Sequence, residues 1–202
     1  TGHATMLANA DDEGNRKFIM IQLPEETPVD SDERKAGFCN ICELGKERLR
    51  IAGREIKEER GFTAQNIDIG FRVLKCDTSN MKDVYYSPSD FDRNLLDMMA
   101  DNIKEDRTPE DLLFQVMLDL GVTLSSKIEE TTIAGKKVFD VADGFLIACF
   151  DKDVNDETIK AIAQKQPYYF VMRDSSLAND SVATNFEQIF ATYSPDTVRK
   201  VL

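Results

Sequence analysis

Phe145-Leu146-Ile147-Ala148-Cys149-Phe150 is an apolar run that follows the tight turn Asp143-Gly144. Its length and its flanking turn predict a strand. Downstream, the pattern predicts a helix over Asp156–Gln164, a strand over Tyr168–Arg173, a helix over Ser181–Tyr193 and a last strand over Val198–Leu202. Strand–helix–strand–helix–strand implies a doubly wound, mostly parallel α/β domain. Just upstream, Lys127–Ile133 and Lys137–Val141 flank Ala134-Gly135-Lys136 and predict a β-hairpin.

Further upstream, Thr108-Pro109-Glu110-Asp111 is a helix start: a Thr cap, Pro at the first position and acid in the first turn. Leu112, Leu113, Val116, Met117 and Leu120 form its inward face, and Gly121 ends it. Phe91–Asn102 is predicted helical, Asp77–Asp90 is polar, and Ile69–Lys75 alternates like a strand. Asn40 is placed to cap a helix running to about Glu59, with Glu43 as its capping-box partner. Ile41, Leu44, Gly45, Leu49, Ala52 and Ile56 make its apolar stripe. Lys46, Arg50, Arg54 and Lys57 lie opposite, where Glu partners suit a solvated face better than a phosphate contact. Glu25–Lys35 is a loop. Lys17-Phe18-Ile19-Met20-Ile21-Gln22-Leu23, ended by Pro24, predicts a buried α/β strand. Residues 3–12 predict a helix that is already running at the first residues. Thr1 is not a natural start, so the chain is expected to be a piece of a longer protein. The boundary between domains 1–61 and 67–202 is expected between Gly61 and Asn66.

The 202 residues carry a formal net charge of −12, and 42% of them are hydrophobic. That suits a globular chain and disfavours autonomous nucleic-acid binding, which rests on neutralising phosphates. No apolar run approaches the ~20 residues of a membrane span, and no signal-peptide pattern opens the chain. Cys39, Cys42, Cys76 and Cys149 are too few for a disulfide scaffold, which points to the reducing cytoplasm. The Cys39–Cys42 spacing would suit zinc, but no second close pair exists, so buried small hydrophobes are the default and no metal ligand is expected. His3 is the sole histidine, so no His-based triad is expected. An independent hydrolase would need a nucleophile–base pair that the chain lacks. Asp174, in Arg173-Asp174-Ser175-Ser176, follows a strand and is read as a helix cap before an active residue.

Several stretches together carry a family resemblance. They are Asn15–Glu25, Asn40–Arg50, Asp68–Val73, Asn80–Tyr86, Asn102–Leu113 and Asp180–Phe190. In order and extent they resemble the C-terminal part of the modification subunit of type III restriction-modification systems, a site-specific DNA adenine-N6 methyltransferase using S-adenosylmethionine. The resemblance implies that residues 1–61 are the remnant of a Rossmann-like methyltransferase sheet and that 67–202 form a C-terminal α/β assembly domain. It implies as partners a second methyltransferase subunit, the restriction (helicase-nuclease) subunit and DNA, the last held by parts upstream. The family's Asp-Pro-Pro-Tyr motif is absent here, and there is no Gly-x-Gly. Thr1-Gly2-His3 looks like the residues just after the family's cofactor loop. No catalytic residue is therefore expected, and the piece alone is expected to be inactive. Two cofactor contacts are carried over: Gln22, at the strand end where the family usually has an acid on the ribose, and, more weakly, Thr1. Gln can donate and accept hydrogen bonds but brings no charge. The competing reading is a non-catalytic protein–protein interaction module of the same ancestry.

Overall fold

In a computed structural model the described residues are 1–61, 67–82, 102–177 and 180–202. They fall into two compact units, Thr1–Cys76 and Asp77–Leu202. Residues 62–66, where the sequence places the boundary, and most of the predicted helix Phe91–Asn102 lie outside the described residues.

The second unit is built on a five-stranded sheet in the order β1 (Ile128–Ile133), β2 (Lys136–Val141), β3 (Leu146–Cys149), β4 (Tyr169–Met172) and β5 (Val198–Val201). The α/β class and the hairpin are as the sequence implies. The sheet is mixed: β1–β2 and β2–β3 are antiparallel, β3–β4 and β4–β5 parallel. The hairpin strands cannot be parallel, because a two-residue turn reverses the chain.

All four residues of β3 are fully buried, because helices cover both faces. Leu146 and Ala148 join Phe139, Val141 and Val171 against α4 (Pro109–Asp119) through Leu112, Leu113, Val116 and Met117. Ile147 and Cys149 point the other way. They join Phe170 and Met172 beneath α5 (Asp156–Ala163) and α6 (Asp180–Tyr193), through Ile159, Ile162, Val182, Phe186 and Phe190. Successive right-handed crossovers that step in one direction place their helices on one face. The opposite face is filled by α4, which precedes the sheet.

Local chemistry sets the ends of these elements. Thr108 and Asp111 complete a reciprocal capping box at α4, and Asn155 caps α5 by accepting from the Thr158 amide at 3.0 Å. Gly121, at φ 69°, closes the turn after α4. The hairpin turns on Ala134 (φ 47°) and Gly135 (φ 78°). Two successive positive φ values match the twist of the flanking strands, and they suit Asn-Gly better than Ala-Gly.

In the first unit α1 (Gly2–Asp12) packs on α3 (Ile41–Arg60). Their core is Met6, Leu49 and Ile56, with Leu7, Ala10, Phe18 and Phe71 against it. Asn40 caps α3 by accepting from the Glu43 amide at 3.0 Å. Three expectations are corrected here. Lys17–Leu23 and Ile69–Lys75 form no strand ladder, because neither has a strand edge beside it among the described residues. Leu44 and Gly45 of the predicted stripe are exposed, and Gly53 is buried instead. The loop Glu25–Lys35 contains a short helix, α2 (Asp32–Lys35), capped by Ser31. Gly53 is buried because Ile69 crosses α3 there: a Cβ on residue 53 would meet Ile69 Cβ at 3.0 Å.

Two substitutions test these points. Ala134→Asn supplies the turn with the residue its conformation favours and should stabilise the second unit by about 0.5–1 kcal/mol, read as a raised midpoint in urea with an unchanged slope. Gly53→Ala should fail to deliver the ~1 kcal/mol that Ala normally gains over Gly inside a helix. It should also increase proteolysis within 67–75, because Ile69 must move; a clean gain with unchanged cleavage would overturn the crossing.

Candidate cofactor-side surface of the first unit

The surface is formed by α1 and the apolar run that follows it. The segment 17–23 emerges from α1 through a clamp that periodicity does not predict. Asn9, buried on α1, accepts from the Arg16 amide and donates to the Arg16 carbonyl, each at 2.9 Å. A side-chain amide thereby takes the place of a neighbouring strand at Arg16. The Arg16 guanidinium returns to Asp12 at 2.6 Å and holds that carboxyl below its usual range. An Asn on the buried side of an otherwise apolar helical stripe is the only sequence signal for this clamp.

Beyond Arg16 the side chains alternate. Phe18 packs in the α1–α3 core, and Phe18 and Met20 flank Gly2, whose added Cβ would lie 3.3 and 3.4 Å from them. Ile19 and Ile21 point away, 89% and 93% exposed, and Leu23 is 70% exposed. A period of two is that of an extended chain. The run is not hydrogen-bonded as a strand; Phe18 is its inward anchor, Met20 is 49% exposed, and Ile19 and Ile21 are bare. Its far end is held by Cys42 on α3, whose thiol lies 3.6 Å from the Gln22 carbonyl and 3.5 Å from that of Leu23.

The N-terminus of α1 lies beside the middle of the run, since a Cβ on Gly2 would lie 3.4 Å from Met20 Cε. Thr1 is exposed; its carbonyl accepts from the Thr5 amide at 2.9 Å, and its side chain makes no cap bond. Gln22 is exposed, and its amide donates to the Leu23 carbonyl at 3.2 Å. Both predicted cofactor-side residues are open to solvent. The basic row of α3 is paired locally, Lys46 with Glu43 at 2.6 Å, and Arg50 and Arg54 with Glu47 at 3.1 and 3.4 Å. This is the solvated face the sequence favours.

Elsewhere, Cys39 and Cys76 are exposed and Cys149 is inside the sheet core, where burial pushes its thiol up to about 11. Asp174 opens a 3₁₀ turn, Asp174–Ser176, rather than capping a longer helix. Among the described residues no helix is long and apolar enough to cross a membrane.

A central sheet with helices on both faces in one unit, and a smaller helical unit with an exposed apolar run, define an α/β protein. The chain is related in sequence to the Mod subunits of type III restriction-modification enzymes. It is 28% identical to the EcoP15I Mod subunit of Escherichia coli over 198 residues, 93% of this chain and 26% of that protein. It is 32% identical to the StyLTI Mod subunit of Salmonella typhimurium over 72 residues, 36% of this chain and 11% of that protein. The chain thus spans about a quarter or less of the curated relatives it matches. No family model matches it.

Thiol labelling checks the burial. At pH 8 Cys39 and Cys76 should react promptly with an aromatic disulfide reagent. Cys149 should react only on unfolding, being both covered and protonated. Its folded value lies above the unfolded one, so its contribution to stability is present below about 9 and lost as pH rises toward 11. Labelling of Cys149 in the native state at pH 8 would contradict the covered sheet.

Proposed function

We propose that this chain is the rear portion of a type III modification subunit, a DNA adenine-N6 methyltransferase that uses S-adenosylmethionine. The observation that carries the proposal is the alignment of 93% of the chain with one Mod subunit. Residues 1–61 complete the cofactor-binding fold. Residues 67–202 serve assembly, pairing methyltransferase subunits and docking the restriction subunit in the cytoplasm. The acidic balance suits protein partners, and DNA is held by upstream parts.

The bare apolar run supports the first role. A run of Phe18, Ile19, Met20, Ile21 and Leu23 anchored on helices through Phe18 is what a parallel sheet covered on both sides requires of a member strand. In open α/β sheets, ligands bind outside the carboxyl ends of the strands, near helix N-termini. In the intact subunit Thr1 and Gln22 would stand at such an end, which fits the ribose side of the cofactor: the Gln22 amide can bond both hydroxyls of a ribose. S-adenosylmethionine would supply the methyl group. These residues would only bind and orient it. Adenine must also leave the duplex stack, at a cost of a few kcal/mol. Nothing in this chain matches the Asp-Pro-Pro-Tyr segment that the family uses next.

Tritiated-methyl transfer to DNA tests the proposal. The chain alone should give no turnover. Joined to the protein segment encoded upstream of Thr1, it should methylate adenine, and Gln22→Ala should raise the KM for S-adenosylmethionine about tenfold with a smaller change in kcat. An upstream segment without Asp-Pro-Pro-Tyr and Phe-x-Gly-x-Gly, or a joined protein that transfers nothing, would favour a non-catalytic interaction module.

A further inference from the structure

The two helices on the crossover side of the sheet, α5 and α6, pack side by side and leave a cleft of about 300 Å³ at their seam. It is lined by Asp156 of α5 and by Asn185, Gln188, Ile189, Thr192 and Tyr193 of α6. The α6 residues recur at spacings of three and four, so they form one stripe. Ile189 and Tyr193 are its half-buried apolar floor, packed on the sheet core. The other residues are polar.

The directions of the hydrogen bonds decide what the stripe has left to offer. Asn185 Nδ2 donates to Asp156 Oδ2 at 2.9 Å, and the Thr192 hydroxyl donates to the Gln188 carbonyl at 2.8 Å. A hydroxyl has one hydrogen, and an ionised carboxylate has none. Asp156 and Thr192 therefore keep only lone pairs, and Asn185 keeps its carbonyl oxygen. Asp156 Oδ1 is covered and has no donor, which is a costly state for a carboxylate oxygen. Rotation about χ2 is soft in an aspartate and exchanges its two oxygens. The cation one turn further along α5, Lys160, lies over the Tyr193 ring, 5.2 Å from its centroid, and leaves the carboxylate without an ion pair. The cleft is thus rich in acceptors, carries a negative charge and has an apolar floor.

We propose that this cleft receives an arginine side chain of a protein partner, which names the chemistry of one contact within the assembly role given above to residues 67–202 and rests on that reading. The guanidinium fork meets the Asp156 carboxylate and reaches the Asn185 carbonyl oxygen, while its aliphatic stem lies on Ile189 and Tyr193. Thr192 and Gln188 accept from the partner where the stem enters. Arginine suits the cleft better than lysine, because its planar fork carries five donors and is less strongly hydrated. A single carboxylate offers a free polyamine only one ion pair, whereas a cationic anchor on a protein surface also matches the acidic balance of the chain.

Nuclear magnetic resonance titration of the isotope-labelled chain with the capped tripeptide Ala-Arg-Ala tests the proposal. The side-chain amides of Asn185 and Gln188 should shift saturably, in the millimolar range that suits one isolated side chain. Asp156→Asn should weaken binding by about tenfold or more, because it removes the charge that the fork recognises. Thr192→Val should weaken it less. The lysine tripeptide should bind more weakly, and the citrulline tripeptide, alike in shape but uncharged, should shift neither amide. Circular dichroism reports whether the variants keep the fold. No shift at Asn185, equal binding of the citrulline peptide, or an Asp156→Asn variant that binds unchanged would each overturn the site. Spermidine binding tighter than the tripeptide would overturn the protein source. Sedimentation with the restriction subunit separates this proposal from the assembly reading. A restriction subunit that binds the wild type and Asp156→Asn equally would overturn the cleft and leave assembly standing. Titration at Asn185 without any binding of that subunit would overturn its docking and support the cleft.

Discussion

The burial of β3 on both faces is the constraint on which the second unit depends. None of its four residues retains any exposure, so every one must find an apolar partner on a helix. The alternation of a strand shares these partners between its two sides. Leu146 and Ala148 are covered by α4, Ile147 and Cys149 by α5 and α6. Phe170, Phe186 and Phe190 pack ring to ring, with centroids 5.2 to 6.0 Å apart, and give the crossover side its bulk. Removing a ring from such a cluster costs several kcal/mol, about 3–5 for Phe to Ala, which is a large share of a domain's total stability.

The first unit meets the opposite situation. Two helices and two extended segments share a core of three buried side chains and their half-buried neighbours. Its longest apolar run has no strand ladder among the described residues. The proposed methyltransferase sheet answers that physical demand: paired amides and a covered Ile19–Ile21 face.

Much of this architecture was legible in the sequence, and the legible parts share a cause. Thr108-Pro109-Glu110-Asp111 and Asn40 announce helix starts because capping is a contact between residues three apart. Ala134-Gly135 and Asp143-Gly144 announce turns because their φ values restrict which residues can sit there. At the candidate surface, Gln22 and Thr1 were placed by resemblance, and both are exposed. The Asn9 clamp was not legible, because a buried amide in a helix has several uses and only the folded chain selects one.

Strand pairing and face assignment were decided elsewhere. Lys17–Leu23 and Ile69–Lys75 have the composition of strands. A strand, unlike a helix, satisfies its amides only with a partner remote in sequence, so composition alone does not make a ladder. Gly53 looked like a neutral position until Ile69 crossed it. The sequence by itself determined the elements, their caps and their turns, because those depend on neighbours within a few residues. Only the tertiary structure decided that α4 covers the face the crossovers leave open, that Asn9 holds the start of the first extended run, and that Ile19 and Ile21 stand bare, because each of these depends on what another part of the chain brings alongside.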